Sequence, residues 1–231
     1  MHIPPVRLIY KNELNQDIID ILQCNSRQPG SLFGDLNGQL NALDLGEKRL
    51  KTLLKEYGAE TVREAFRELK LRAEQLMRSN LSELPDASVS CEDYLDNDGI
   101  TDQPLRIGLD LKVSGDTMTL DFSRTSNGCS GPVNISRSTA IASCYVALKH
   151  LFKEVPANSG VLEPIRFVIP DGSLLDAKAP KPVGGYTETI LRVIDVVFQA
   201  MAKLAPERSN GCAYGTINAL SLAGYRKDGR R

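Results

Sequence analysis

Leu105-Arg106-Ile107-Gly108-Leu109-Asp110-Leu111-Lys112-Val113 alternates an apolar residue with a polar or small one at every step. Successive side chains of a strand point to opposite faces, so Leu105, Ile107, Leu109, Leu111 and Val113 share one face and Arg106, Gly108, Asp110 and Lys112 the other. Ser114-Gly115-Asp116 interrupts the alternation, and Met118, Leu120 and Phe122 resume it. The pattern predicts a β-hairpin with one half-buried face.

Downstream, Ser123 to Asn134 is a polar, glycine-bearing loop, followed by a helix from about Ser138 to Lys153 with Ile141, Tyr145, Leu148 and Phe152 on one side. Glu163 to Ile169 reads as a strand closed by the turn Pro170-Asp171-Gly172, where each residue type favours chain reversal. Thr187 to Ala205 reads as a helix with Ile190, Ile194, Val197, Met201 and Leu204 at core spacing. Asn210 to Gly224 is rich in Ala, Ser and Gly, which suits close approach of backbone to a neighbouring element.

Upstream, Asn80 to Gln103 is polar and acidic, with Glu92, Asp93, Asp96, Asp98 and Asp102. The order lacks the spacing of a calcium loop, so a solvated loop is expected. Before it, Leu36, Leu40, Leu43, Leu50, Leu54 and Tyr57 recur at alternating spacings of four and three, with Glu47 the one non-apolar position. That is an amphipathic helix face, with Asp35 as its N-cap and Gly58 where a left-handed cap is expected. Thr61-Val62-Arg63-Glu64 matches a capping box for a second helix carrying Val62, Phe66, Leu69, Ala73 and Leu76 or Met77. The short join implies antiparallel contact between the two. Val6, Leu8 and Ile9 read as a strand running into a turn, its partner either distant or outside this chain.

The expected fold class is α+β, or mixed α/β. A helical hairpin occupies about residues 34–80, and about 103–224 form a part built from a β-hairpin and a mixed sheet flanked by helices. The chain has 231 residues, 42% hydrophobic and 25% charged, as in folded soluble proteins. Lys+Arg number 28 against Asp+Glu 29, giving a net charge of −1, so no global field draws nucleic acid or an anionic membrane. The five cysteines are widely spread with no C-x-x-C, which points to reduced thiols in the cytoplasm. No apolar stretch approaches the roughly 18–20 residues of a membrane span.

Only two histidines are present, His2 and His150, and no histidine pairing completes a metal site. Chemistry is therefore sought in three helix-opening loops. Asp121 to Asn134 leaves a strand and opens a helix through hydroxyl, amide and glycine residues. Such a place offers free N–H groups to an anion or a developing oxyanion; alternatively its serines only cap the helix. Cys129 is either a low-pKa thiol or an inert one. In Asn25-Ser26-Arg27-Gln28-Pro29, Arg27 could bind a carboxylate or phosphate. In Pro182-Val183-Gly184-Gly185-Tyr186-Thr187 the paired glycines allow backbone to approach a ligand.

These loops carry a resemblance. Ile3-Pro4-Pro5-Val6-Arg7-Leu8, Asn25-Ser26-Arg27-Gln28-Pro29, Gly34-Asp35-Leu36-Asn37-Gly38-Gln39 and Tyr57-Gly58 resemble the hydantoinase B/oxoprolinase family. So do Asp121-Phe122-Ser123-Arg124-Thr125-Ser126, Gly131-Pro132-Val133-Asn134, Asn158-Ser159-Gly160 with Pro164-Ile165, Pro170-Asp171-Gly172-Ser173 and Ala205-Pro206-Glu207-Arg208, all in the family's order. The family includes the B-type subunit of N-methylhydantoinase, the matching half of 5-oxoprolinase, and subunits of acetone and acetophenone carboxylases.

The resemblance implies ATP-dependent opening of a cyclic amide of the hydantoin or 5-oxoproline type, or carboxylation of a ketone. It implies a hetero-oligomer in which an actin-like A-type subunit holds ATP and Mg and phosphorylates the substrate. This chain is then expected to be the central portion of a B-type subunit. It would bind no cofactor by itself, a divalent metal belonging to an upstream part. Asp121 is expected to act as base or orienter of water, Ser123 and Thr125 as hydrogen-bond donors and Asn134 as an amide clamp. Arg27, Gly184 and Gly185 would line the substrate, with the loops near Arg27, Arg124 and Gly185 converging on it. A non-catalytic assembly module is the alternative.

Overall fold

The computed structural model describes residues 3–11, 13–209, 211–212, 224 and 227. The chain divides into two compact units, Met1–Phe66 and Arg67–Arg231. Most of the small-residue segment expected at 210–224, and His2, lie outside the described residues.

In the first unit, β1 (Ile9–Tyr10) and β2 (Glu13–Leu14) form a minimal antiparallel pair. The opening strand thus finds its partner a few residues on rather than far away, the chain turning through Lys11 at φ 51°. Helix α1 (Gln16–Cys24) buries Ile19. Helix α2 (Pro29–Tyr57) starts with proline in its first turn, where the missing N–H costs nothing. Asp35 therefore lies inside α2 rather than capping it.

Gly58 alone separates α2 from α3 (Ala59–Ser82). Its φ of +80° is accessible to glycine without strain. Its N–H donates to the Leu54 carbonyl at 3.0 Å and its own carbonyl accepts from Val62 N–H at 3.2 Å. One residue thus ends one helix and begins the next, so Thr61 falls within α3 and the expected capping box is not used. The two consecutive helices are present. α2 contains no buried residue, and Leu43, Leu50 and Tyr57 of its stripe are exposed.

In the second unit, Ala73, Met77 and Leu81 of α3 are fully buried. They join a sheet of order β3-β4-β5-β6, where β3 is Ala87–Leu95, β4 Leu105–Ser114, β5 Thr117–Asp121 and β6 Ile165–Val168. The predicted hairpin is β4–β5, in antiparallel register with Val113 opposite Met118. β6 pairs parallel to β5, Met118 opposite Ile165, so α4 (Arg137–Leu151) lies in a β-α-β crossover.

Strand β3 corrects the expectation of a solvated acidic loop: nine residues pair antiparallel with β4 along their full length. Ala87, Val89, Cys91 and Leu95 alternate toward the core. The alternation is broken in the sequence by Asp93, whose carboxylate instead pairs with Arg192 of α5 (Tyr186–Leu204) at 2.8 Å. Arg192 also pairs with the buried Asp195 at 2.8 Å. The core side of the sheet, from Ile107 to Phe122, packs with Cys144, Leu148, Val193, Val197 and Met201 from α4 and α5.

Candidate functional site

Two loops and a turn meet around a set of buried polar side chains. Asn134 is fully buried. Its Oδ1 accepts from Cys129 N–H at 2.8 Å, and its Nδ2 donates to the carbonyls of Cys129 at 3.2 Å, Gly131 at 2.9 Å and Pro182 at 2.9 Å. An amide satisfied on both ends holds its neighbours in one arrangement, because releasing any of them leaves a buried polar group unpaired. Here it ties the loop before α4 to the loop before α5. Gly185 strengthens the tie, its N–H donating to the Pro132 carbonyl at 2.9 Å. Thr189 of α5 adds a bond from its hydroxyl to the Val133 carbonyl.

The third member of this junction was not anticipated. Asp98, 2% exposed, accepts from the N–H groups of Ile100 at 2.9 Å and Thr101 at 2.6 Å through Oδ1. Its Oδ2 accepts from Gly131 N–H at 2.9 Å. These backbone donors, Thr101 first and then Ile100 and Gly131, hold its carboxyl well below the usual carboxylate range. Gly131 is required there, since a Cβ would collide with the Asp98 backbone. The local signal in the sequence was Asn97-Asp98-Gly99 with Thr101 three residues after the aspartate, an Asx-turn pattern.

Asp121, Ser123 and Thr125 form a second group, at the end of β5. Asp121 Oδ1 accepts from the Ser123 N–H at 2.8 Å, and Ser123 is exposed. Thr125 places its hydroxyl 3.3 Å from both the N and the O of Gly108, and Ser126 exchanges bonds with Arg106. These hydroxyls complete the β4 edge beyond the last residue of β5. Ser136, by contrast, caps α4, accepting from Thr139 N–H at 3.3 Å.

Arg124, between them, lies on the open face of the sheet. Its Nε is 3.0 Å from Asp110 Oδ2 and its Nη1 3.1 Å from Glu92, while Nη2 donates to the carbonyls of Cys91 and Leu109. The hydrogen bond from Arg124, then that from Ser90, lowers the pKa of Asp110. Beside this cluster is a cleft of about 310 Å³ lined by Ser90, Cys91, Glu92, Arg124, Gln199 and Lys203. A smaller one of about 260 Å³ lies along Asn97 and Gly99–Asp102.

The structure therefore joins Asn134 with Gly185 and places Asp121, Ser123 and Thr125 together at the strand end. Gly184 is open, with nothing near its Cβ position. Arg27 is exposed and belongs to the first unit. Burial, and secondarily Asp98, pushes the Cys129 thiol up, away from the thiolate an activated nucleophile needs. His150 bonds the Val146 carbonyl and stacks edge-on against Phe198 at 5.8 Å. Among the described residues no three His, Cys, Asp or Glu side chains converge as a metal site. None of the described helices is long and apolar enough to cross a membrane.

The hydantoinase B/oxoprolinase family model matches residues 1–231. The chain is 29% identical over 226 residues to a putative B-type subunit of a D-/L-hydantoinase from a Pseudomonas strain, covering 93% of this chain and 38% of that one. The crystal structure of ATP-dependent caprolactamase from Pseudomonas jessenii superposes with a TM-score of 0.83 at 30% identity, covering 90% of this chain and 36% of that one. Nucleotide-free acetone carboxylase shares the fold, with a TM-score of 0.75 at 12% identity over 88% of this chain and 29% of that one. The chain spans about two-fifths of the length of three curated relatives it matches and 14–16% of the 5-oxoprolinases.

Proposed function

This chain belongs to the hydantoinase B/oxoprolinase family, and on that premise we propose that it is part of an ATP-dependent cyclic amidohydrolase. It works with an actin-like A-type subunit that holds ATP and Mg and phosphorylates a hydantoin- or 5-oxoproline-type ring in the cytoplasm. The family match over the whole chain carries this reading.

Water adds to the activated carbonyl carbon, the ring C–N bond opens as the nitrogen takes up a proton, and a second water releases phosphate from the resulting acyl phosphate. That chemistry needs a carboxylate to fix the water and take its proton, with donors for the developing oxyanion. Asp121 suits the first role: it is half-buried, and its orientation is set by the Ser123 N–H. The exposed Ser123 hydroxyl is placed to donate. Thr125 and Asn134 act as positioning residues, since their polar atoms hold Gly108 and the helix-opening loops. Gly184 and Gly185 line the approach. No step runs through a metal.

The test is turnover of the full-length parent containing this region with its ATP-binding partner, followed by ADP release and ring opening. Asp121→Ala should lower kcat by about 100-fold or more while nucleotide binding by the partner is unchanged. Unchanged turnover removes Asp121. Bicarbonate-dependent consumption of a ketone in place of ring opening replaces the hydrolase reading with carboxylation.

A further inference from the structure

We propose that the C-terminal half of α2 is a docking surface for a second copy of this chain, the two helices pairing antiparallel about a two-fold axis. The inference stands on the first unit alone and is independent of the amidohydrolase reading.

The spacing is that of a coiled-coil seam rather than of a helix on a globular core. Phe33, Leu36, Leu40, Leu43, Glu47, Leu50, Leu54 and Tyr57 follow one another at intervals of three and four without a break. That is the 3.5-residue period which keeps one stripe facing a partner helix. Up to Leu40 the stripe is half-buried. Beyond it Leu43 is 71% exposed, Leu50 41% and Tyr57 54%, with Leu54 half-buried, although every residue lies within the regular helix. A folded helix displaying seam leucines to water is a surface built to be covered.

What covers it follows from the flanking positions. Asp44 and Lys51 lie on one flank of the seam, Gly46 and Leu53 on the other. In an antiparallel pair centred between Glu47 and Leu50, each flank meets its own copy running in reverse. Asp44 then faces Lys51 of the second copy and Lys51 faces its Asp44. On the far flank Leu53, itself 41% exposed, lies over Gly46 of the second copy, where no side chain competes for space. Both flanks are thus self-complementary, one by charge and one by size, as an isologous contact requires.

The parallel arrangement fails on the same residues. It sets Glu47 against Glu47 and leaves Asp44 facing Gln39 and Lys51 facing Gly46. Antiparallel pairing sets Glu47 against Leu50, with the Glu47 carboxylate neutralised by Lys51 at 2.5 Å within its own helix. A polar seam residue of this kind selects orientation and register at some cost in stability. The exposed i,i+4 pairs Lys48–Asp44 and Lys51–Glu47 are weak enough to share their charges with a partner.

The experiment is sedimentation equilibrium on the full 231-residue chain, from low micromolar to about 100 µM. The expected result is a concentration-dependent dimer, abolished by Leu50→Glu with helicity by circular dichroism unchanged. Asp44→Lys and Lys51→Asp should each weaken the dimer by about tenfold, because each creates like-charge contacts. An equimolar mixture of those two variants should recover the wild-type affinity, since every flank contact between them is lysine against aspartate. A monomer throughout the range overturns the proposal. So does a dimer that survives Leu50→Glu, or a mixture that associates no more tightly than its components.

Discussion

Helices α2 and α5 look alike as patterns, each with an apolar residue every three or four positions, yet they meet opposite fates. α5 is 19 residues long and buries nine of them, among them Val193, Val196, Val197 and Phe198. α2 is 29 residues long and buries none. The difference is not in the stripe but in what borders it. α5 has a second apolar or small file beside the first, with Val193, Val196 and Ala200, wide enough to lie against a sheet and another helix. α2 has a narrow seam with Asp44 and Lys51 on one flank and only Gly46 and Leu53 on the other, which suits one neighbouring helix only. An apolar stripe therefore identifies a buried-type face, and its width identifies the kind of surface that can cover it.

The sharpest way to break this contrast is to put the same charge into both helices. Val197→Asp should cost more than about 4 kcal/mol in urea denaturation, since it strands a carboxylate in the core. Leu43→Asp, measured on dilute protein, should stay within about 0.5 kcal/mol of wild type. Comparable losses would show that α2 is part of a core after all.

Ion pairs sharpen it next. Asp195→Ala leaves Arg192 short of a partner beside a 1% exposed position and should cost about 3–5 kcal/mol. Lys51→Ala removes an exposed pair and should cost no more than about 0.5 kcal/mol in the same assay. A third comparison lies within the second unit. Asn134→Ala deletes a buried hub with four bonds and should cost about 2–3 kcal/mol, while Ser136→Ala removes an exposed cap and should cost about 1 kcal/mol.

The smallest effect is the one that depends on pH. The carboxyl of Asp98 titrates lower in the folded chain than in the unfolded one, mainly because Thr101, Ile100 and Gly131 N–H groups bind the charged form. A depressed folded pKa contributes stability that is complete above the unfolded value of about 3.9 and fades as the pH falls from there through the lowered one. Asp98→Asn should therefore be less stable than wild type at neutral pH, with the gap closing below about pH 4. A gap independent of pH would mean that the carboxylate charge is not what those donors hold.

What the sequence disclosed follows the same logic of neighbours. β4 and β5 were legible because their alternation is local and their partners adjoin. β3 was not, because Asp93 occupies a core-facing position that makes sense only with Arg192, 99 residues away. Asp98 looked like one acid among several, because its decisive partner, Gly131, lies 33 residues on. Asp121 to Asn134 reads as the chemically richest stretch, but the division of labour among its hydroxyls rests on Gly108 and Arg106 of β4, which no spacing within the loop encodes. The capping box expected at Thr61–Glu64 assumed a loop between α2 and α3, whereas Gly58 alone joins them.

The parallel pairing of β5 with β6 has a kinetic consequence. Met118 meets Ile165 only after the intervening chain, with α4 and the loop that opens it, has been laid across the sheet. Closing that long excursion is entropically slow compared with zipping the β4–β5 hairpin. The last strand and the Asn134 junction thus mature late and together, so lesions in this crossover should slow refolding while leaving early hairpin formation untouched.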